Sequence, residues 1–84
     1  MPNPFARRTR FQWQIPVEVD VHLCVYDITG REVRKLWTGK AKPGKYSLAW
    51  DGSDDHGRRV PAGIYICRMN AGTFAGSRKL VLTR

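Results

Sequence analysis

The amino-acid sequence predicts an all-β sandwich. Short apolar runs recur about every 8–12 residues, and clusters of Gly, Pro, Asn and Asp separate them. No long stretch keeps apolar residues at the spacing of a helix, because Gly or Pro interrupts every segment. The pattern therefore favours about six strands in a sandwich over an alternating β-α-β fold.

The first two strands are predicted from the alternation of apolar and polar residues. Residues 10–15 and 21–28 each place their apolar side chains on one face, and Pro16 ends the first strand. The apolar members are Phe11, Trp13 and Ile15 in the first strand and Val21, Leu23 and Val25 in the second.

A tight turn follows the second strand. Residues 27–30 have Asp in the first position and Gly in the fourth, as type I turns prefer, so a hairpin to residues 32–37 is expected. Val33 and Leu36 break the period of two in this second arm. That break predicts either a β-bulge or an early end of the arm.

The next strand has the clearest alternation in the chain. Residues 42–45, Lys-Pro-Gly-Lys, match a type II turn, with Pro second and Gly third. In the strand that follows, Tyr46, Leu48 and Trp50 share one face.

The last third of the chain predicts a connector and a hairpin. Residues 51–63 hold three Asp, three Gly and a Pro, so we expect an ordered but irregular segment with Val60 as its apolar plug. Residues 64–69 and 74–83 flank a short loop at 70–73. Leu80 and Leu82 should be buried, with Val81 on the opposite face.

Length and charge limit the function classes. An 84-residue chain has room for one domain with a thin core, and its net charge of +8 would attract phosphate, acidic glycans or an anionic surface. The basic residues form no run longer than two, which favours an ordinary solvated surface. No apolar stretch approaches membrane-spanning length, so direct membrane insertion is not expected.

Cys24 and Cys67 are the two cysteines of the chain. This number excludes a disulfide-dense scaffold and any zinc site that needs three or four thiolates. Both lie in apolar strand-like runs, where a free cysteine packs as a small hydrophobic residue. A single bridge between them stays open.

The sequence predicts neither an enzyme nor a cofactor. His22 lies inside a strand and His56 in a polar turn, and no serine has the context of an activated nucleophile. Residues 51–57 resemble a calcium loop in their Asp and Gly content, but Ala62 stands where an EF-hand has its bidentate Glu. The alternative is that these carboxylates accept backbone hydrogen bonds and hold the turns.

A nucleic-acid interface would use aromatic side chains as stacking platforms. The candidates are Trp13, Trp37, Tyr26 and Tyr46. Trp13, Tyr46 and Trp50 lie on the apolar faces of their strands, so they are expected in the core, and no nucleic-acid partner is predicted.

Four segments, in order and over nearly the full length, carry a family resemblance. They are PNPF at 2–5, VYDITGREV at 25–33, WDG at 50–52 with DDHGRRVPAGIY at 54–65, and SRKLVL at 77–82. The chain resembles the type A C-terminal sorting domain of the type IX secretion system and, more loosely, the Ig-like domain of the flagellar hook-capping protein. Ala6-Arg7-Arg8 departs from the usual continuation of the PNPF opening.

The resemblance implies an immunoglobulin-like β-sandwich of about six to seven mostly antiparallel strands. Residues 1–84 would form one sorting or carrier domain, with 1–8 as a flexible lead-in. It would follow an N-terminal cargo domain, be recognised by a secretion translocon and a sortase-like protease, and deliver its cargo through the outer membrane to the cell surface or medium. The implied recognition residues are Gly63, Tyr65, Arg78, Lys79, Leu80, Val81 and Leu82.

Two other interpretations stay open. For the apolar members of this set, core packing is the alternative role, and for Gly63 it is a turn with positive φ. For the whole domain, the alternative is a structural or adhesive Ig-like module of a hook-capping or cell-surface protein, whose edge strand pairs with a neighbour.

Overall fold

A computed structural model describes residues 3–5 and 9–83, with the backbone alone described for residues 3–5. Every regular element in these ranges is a strand. The strands are β1 (Asn3–Phe5), β2 (Thr9–Ile15), β3 (Val19–Asp27), β4 (Glu32–Ala41), β5 (Gly44–Trp50), β6 (Gly63–Ala71) and β7 (Phe74–Leu82).

The strands form two sheets that pack face to face. The larger has the order β1-β7-β6-β3-β4, and the smaller is the pair β2-β5. All pairings are antiparallel except that of β1 with β7, which is parallel. This arrangement confirms the expected immunoglobulin-like β-sandwich.

The core lies between the sheets and receives side chains from both. Its largest fully buried members are Trp50 of β5, Leu23 and Val25 of β3, and Leu80 and Leu82 of β7. Because successive side chains of a strand point to opposite faces, the period-two pattern of the sequence places these residues inward. The predicted inward faces of β2, β3, β5 and β7 are confirmed, with Trp13 and Tyr46 half-buried at the margin.

The β3–β4 hairpin contains the predicted irregularity, and it is a pair of bulges. The register passes from Leu23–Trp37 to Cys24–Lys35, and from Val25–Arg34 to Tyr26–Glu32. Leu36 and Val33 are therefore the extra residues, which is why they interrupt the alternation. The arm does not end early, because β4 continues to Ala41.

The turn before β4 also forms as expected. The Asp27 carboxylate accepts hydrogen bonds from the backbone N–H groups of Thr29 and Arg31, at 2.9 and 3.1 Å. The Gly30 N–H donates to the Asp27 carbonyl at 3.0 Å, closing the turn.

The type II turn predicted for residues 42–45 is wrong. Gly44 has a φ of 152°, far from the value of about +80° that this turn type requires. The physical reason is the pairing of β5, whose partner is β2 in the other sheet. The chain must therefore cross from one sheet to the other after Ala41. A tight turn would pair β5 with β4 in the same sheet, whereas an open bend allows the crossing.

The final third of the chain matches its prediction. Residues 51–63 form a connector with one isolated bridge, between Ser53 and Arg59, and Val60 is buried in it. β6 and β7 form a hairpin in which Ala71 pairs with Phe74. Of the predicted lead-in, residues 1, 2 and 6–8 lie outside the described residues, and its flexibility stays a prediction.

Candidate functional site

The outer edge of β7 is an uncovered strand edge of the larger sheet over most of its length. Among the described residues, β1 pairs only with Leu80–Leu82, so no strand covers Phe74–Lys79 on the side away from β6. We call this stretch the β7 edge. Unpaired backbone N–H and C=O groups along such an edge can accept an additional strand.

The opposite edge of the sheet is partly closed by the connector. The Asp55 N–H donates to the Val33 carbonyl at 3.0 Å, and the Asp55 carboxylate accepts from the Lys35 N–H at 2.9 Å. The Arg34 guanidinium reaches the Asp54 carbonyl at 2.9 Å. The residues 51–63 thus protect β4 at its first half, and nothing comparable in the described chain protects the β7 edge.

Three of the seven predicted recognition residues belong to the core. Leu80 is 0% exposed and Leu82 2%, and Tyr65 is buried beside them at 6%. The Tyr65 hydroxyl donates to the Pro61 carbonyl at 2.6 Å, and its ring packs edge-on against Trp50. These side chains hold the two sheets together and present nothing to a partner.

The other four are reachable from solvent to different degrees. Gly63, Arg78 and Lys79 are exposed, and Val81 is half-buried. Gly63 has a φ of 155°, a conformation that favours glycine, but it is the first residue of β6 and pairs with Leu82, so the positive φ is confirmed and the turn is not.

Arg78 and Lys79 point to opposite faces of the sheet. Arg78 pairs with Cys67 on the inner side, and its guanidinium lies 5.9 Å from the centre of the Phe11 ring. Lys79 pairs with Ile66 on the outer side. A partner lying flat on one face would meet one of them, whereas a strand added at the β7 edge would meet both.

An apolar groove opens at the end of the sandwich where the β6–β7 turn lies. It has a volume of about 470 Å³, and Trp13, Val19, Met69 and Phe74 line it. Phe74 is 59% exposed because the two-stranded sheet is too narrow to cover this end of β7. Sequence patterning did not predict this groove, since Phe74 follows the inward parity of β7 like any core residue.

The carboxylates of residues 51–57 hold turns. Asp51 accepts from the Ser53 N–H at 3.0 Å and from its hydroxyl at 2.5 Å. Asp54 accepts from the N–H groups of His56 and Arg58, both at 2.9 Å. These hydrogen bonds keep the pKa of Asp51 and of Asp54 below the ordinary value, as expected for carboxylates that act as turn acceptors.

Cys24 and Cys67 are both free and buried. Val25 pairs directly with Cys67 across β3 and β6, so Cys24, one residue away on β3, points to the other face of the sheet. A bridge between them is therefore excluded by strand parity. Burial raises the pKa of Cys67 to about 12, and burial together with the Glu32 charge raises that of Cys24 to about 11.

Cys24 belongs to a cluster on the outer face of the larger sheet. Its Sγ lies 3.1 Å from His22 Nε2, which lies 3.9 Å from a carboxylate oxygen of Glu32. The sequence signal for this cluster is the spacing of His22 and Cys24 by two residues in one strand, but Glu32 joins them only through the hairpin. His22 lies against the buried Cys24 thiol, whose raised pKa disfavours the thiolate when no cation is bound, and His56 is exposed in its turn.

Three aromatic residues form a half-buried cluster at the side of the sandwich. The Trp13 and Tyr46 rings stack at 5.6 Å between centroids, and Trp37 meets both edge-on, at 6.2 and 5.2 Å. Each ring is thus packed against two others. Trp50, by contrast, is 1% exposed in the core, where its indole N–H donates to the Ser53 carbonyl at 2.7 Å.

The fold and these surfaces define an immunoglobulin-like β-sandwich module whose accessible features are a strand edge and a groove. A family model described as the FlgD Ig-like domain matches residues 3–74, and the chain belongs to this family. The match indicates no enzyme family. A search of curated proteins finds no match. None of the described segments is a helix with the length and apolar character that a membrane crossing requires.

Two solved structures are similar to this chain. FlgD from P. aeruginosa is 26% identical over 86% of this chain and 57% of its own length, with a TM-score of 0.64. Dimeric latent PorU from Porphyromonas gingivalis is 21% identical over 98% of this chain and 9% of its own length, with a TM-score of 0.65. The second likeness concerns the fold. In both cases the chain spans well under two thirds of the similar protein.

Proposed function

We propose that this domain is a non-catalytic sorting module that directs a larger exported protein through the outer membrane to the cell surface or medium. Its partners would be a secretion translocon and a sortase-like protease. The exported protein would be an N-terminal cargo domain on the same chain. The observation that carries the proposal is the uncovered β7 edge with Arg78 and Lys79 exposed on its two faces. Arg78 and Lys79 at the end of this edge are two of the recognition residues that the resemblance to type IX sorting domains implies.

The physical form of recognition would be strand addition. Backbone hydrogen bonds along Phe74–Lys79 would supply affinity, and the two cations would select a partner strand with acidic residues at matching positions. Such recognition requires a folded domain, because Arg78 and Lys79 are held at the edge by the pairing of β7 with β6. No reactive pocket is needed.

Charge reversal at the edge tests this proposal. The domain is fused to a reporter in a type IX-competent bacterium, and Arg78→Glu with Lys79→Glu is compared with Lys42→Glu and Lys45→Glu. The second pair makes the same change in net charge at two other exposed positions, Lys42 between β4 and β5 and Lys45 near the start of β5. Thermal melts of both purified variants establish that they fold.

Loss of export with the first pair and normal export with the second would support recognition at the β7 edge. Equal export of the two variants would contradict it. Deleting residues 77–84 gives a coarser check: export that survives this deletion would defeat the sorting role itself.

A structural or adhesive role in a hook-capping or cell-surface protein is the second candidate. The family match over residues 3–74 and the likeness to FlgD favour it specifically. In this role the β7 edge would pair with a neighbouring subunit. Deleting the gene in its source bacterium separates the candidates, because loss of swimming would support the structural role, whereas a cargo protein missing from the cell surface in swimming cells would support sorting.

A further inference from the structure

We propose that His22, Cys24 and Glu32 form a three-ligand zinc site on the outer face of the larger sheet, independent of the β7 edge. The three side chains supply one nitrogen, one sulfur and one oxygen, and their ligand atoms all lie within 4.8 Å of one another. This donor set suits zinc, which accepts thiolate, imidazole and carboxylate ligands together. The sequence predicted no metal site, because Glu32 is distant in the chain from His22 and Cys24 and joins them only through the β3–β4 hairpin.

The distances are close to those of a tetrahedral zinc centre. With the usual zinc–ligand bond lengths, a tetrahedral angle separates nitrogen from sulfur by about 3.5 Å and nitrogen from oxygen by about 3.4 Å. The corresponding distances here are 3.1 Å between His22 and Cys24 and 3.9 Å between His22 and Glu32. Side-chain shifts of about 0.5 Å would bring these two pairs to tetrahedral distances, and the Cys24 sulfur lies within 4.8 Å of the Glu32 oxygen.

The backbone holds the ligands in place. His22 and Cys24 are two residues apart in β3 and so share a face, and Glu32 enters from β4 opposite Tyr26. Lys35 Nζ binds the second carboxylate oxygen of Glu32 at 2.7 Å, which leaves the first oxygen turned toward His22. This contact with Lys35 orients the carboxylate, as hydrogen bonds to metal-binding side chains do in known metal sites.

Burial differs among the ligands in a way that suits metal entry. Cys24 is 0% exposed, whereas the side chains of His22 and Glu32 are 43% and 29% exposed. The sulfur lies at the base of the site and the other two ligands lie at its rim. Three protein ligands leave a fourth position for water, as in open zinc sites.

The charges around the site are mixed. A thiolate and a carboxylate would neutralise Zn²⁺, while Lys35 on β4 and Arg68 on β6, which lies over the Tyr26 ring, add positive charge nearby. Asp55 of the connector faces the same region and offsets part of it. The two negative charges of the Cys24 and Glu32 ligands thus match a divalent cation. The positive charges of Lys35 and Arg68 limit the affinity of the site for zinc.

Cobalt binding to untagged, reduced protein tests the site. Co²⁺ replaces zinc in such centres, and a thiolate ligand gives a sulfur-to-cobalt charge-transfer absorption in the near ultraviolet. We expect this absorption to saturate at one equivalent and to disappear when Zn²⁺ is added. Saturation only at a large excess of cobalt over protein would overturn the proposal.

Variants identify the ligands. Cys24→Ser and His22→Ala should abolish the absorption, and Glu32→Gln should weaken binding by about tenfold or more. Cys67→Ser removes the thiol on the other face and His56→Ala removes the second histidine, so both should bind cobalt like the unmodified chain. Because Cys24 is buried, His22→Ala serves where Cys24→Ser fails to fold. Absorption that persists in either variant, or is lost in Cys67→Ser, would overturn the assignment.

Discussion

Replacing Leu80 with Ala separates core packing from partner recognition in β7. Leu80 is 0% exposed and pairs with Tyr65, whose ring packs on Trp50 at 5.4 Å between centroids. A buried Leu→Ala change costs about 2–5 kcal/mol, depending on how far the site collapses. The two aromatic rings are rigid and one is held by its hydrogen bond to Pro61, so we expect about 3–4 kcal/mol.

That loss is large for so small a domain. A domain of this length has roughly 4–13 kcal/mol of unfolding free energy in total, so the variant would lose a quarter or more of it. The corresponding fall in Tm is about 12–30 °C. Export of a Leu80→Ala fusion would then fall in proportion to the unfolded fraction of the domain, although the Leu80 side chain is buried away from any partner.

Urea unfolding followed by tryptophan fluorescence measures the effect, because buried Trp50 lies close to the site of the change. Lys79→Ala is the matched control, one residue earlier, exposed and on the opposite face, and should change stability by less than about 0.5 kcal/mol. A Leu80→Ala cost below about 1 kcal/mol with an unchanged denaturant slope would refute the core assignment. So would a Lys79→Ala cost of equal size.

Three further predictions concern local hydrogen bonds and backbone conformation. Tyr65→Phe removes the donor to the Pro61 carbonyl and should cost about 1–2 kcal/mol in urea unfolding, with little change in near-ultraviolet circular dichroism. Asp51 has a folded-state pKa below its ordinary value of 3.8, chiefly because the Ser53 hydroxyl donates to it. Its stabilisation is therefore complete above pH 3.8 and lost as the pH falls through the lower folded-state value, so melts of Asp51→Asn should show a smaller acid-induced fall in Tm than those of the unmodified chain. Gly72→Ala, at a φ of 60° in the β6–β7 turn, should lower stability by about 1 kcal/mol, and an unchanged Tm would contradict this assignment of strain.

Strand positions and buried faces were predictable because they are local properties. The alternation of side chains within a strand shows which face is buried. Val33 and Leu36 break that alternation in β4, and this break indicated the bulges. The turn after β4 was not predictable on the same terms. Lys42-Pro43-Gly44-Lys45 has the composition of a tight turn, but the choice of β2 as the partner of β5 required an open bend.

The candidate site also has a part that was predictable from the sequence and a part that was not. The burial of Leu80 and Leu82 follows from their alternation with Val81, and the structure agrees. Their recognition role was implied by the family resemblance alone. Of the same set, Arg78 and Lys79 are the exposed charged residues at the β7 edge. The edge is uncovered along Phe74–Lys79 because β1 pairs only with Leu80–Leu82. No local sequence pattern predicts where that pairing stops.

Apolar alternation and the Gly- and Asp-rich segments were enough to predict an all-β domain with one buried face per strand, turns between strands and a buried final strand. Tertiary packing sets which strands pair, turns Cys24 and Cys67 to opposite faces of the sheet, and brings His22, Cys24 and Glu32 together. The difference arises because these features depend on interactions over different distances along the chain. Alternation follows from the backbone of a single strand, whereas pairing and convergence are set by packing among segments distant in the chain.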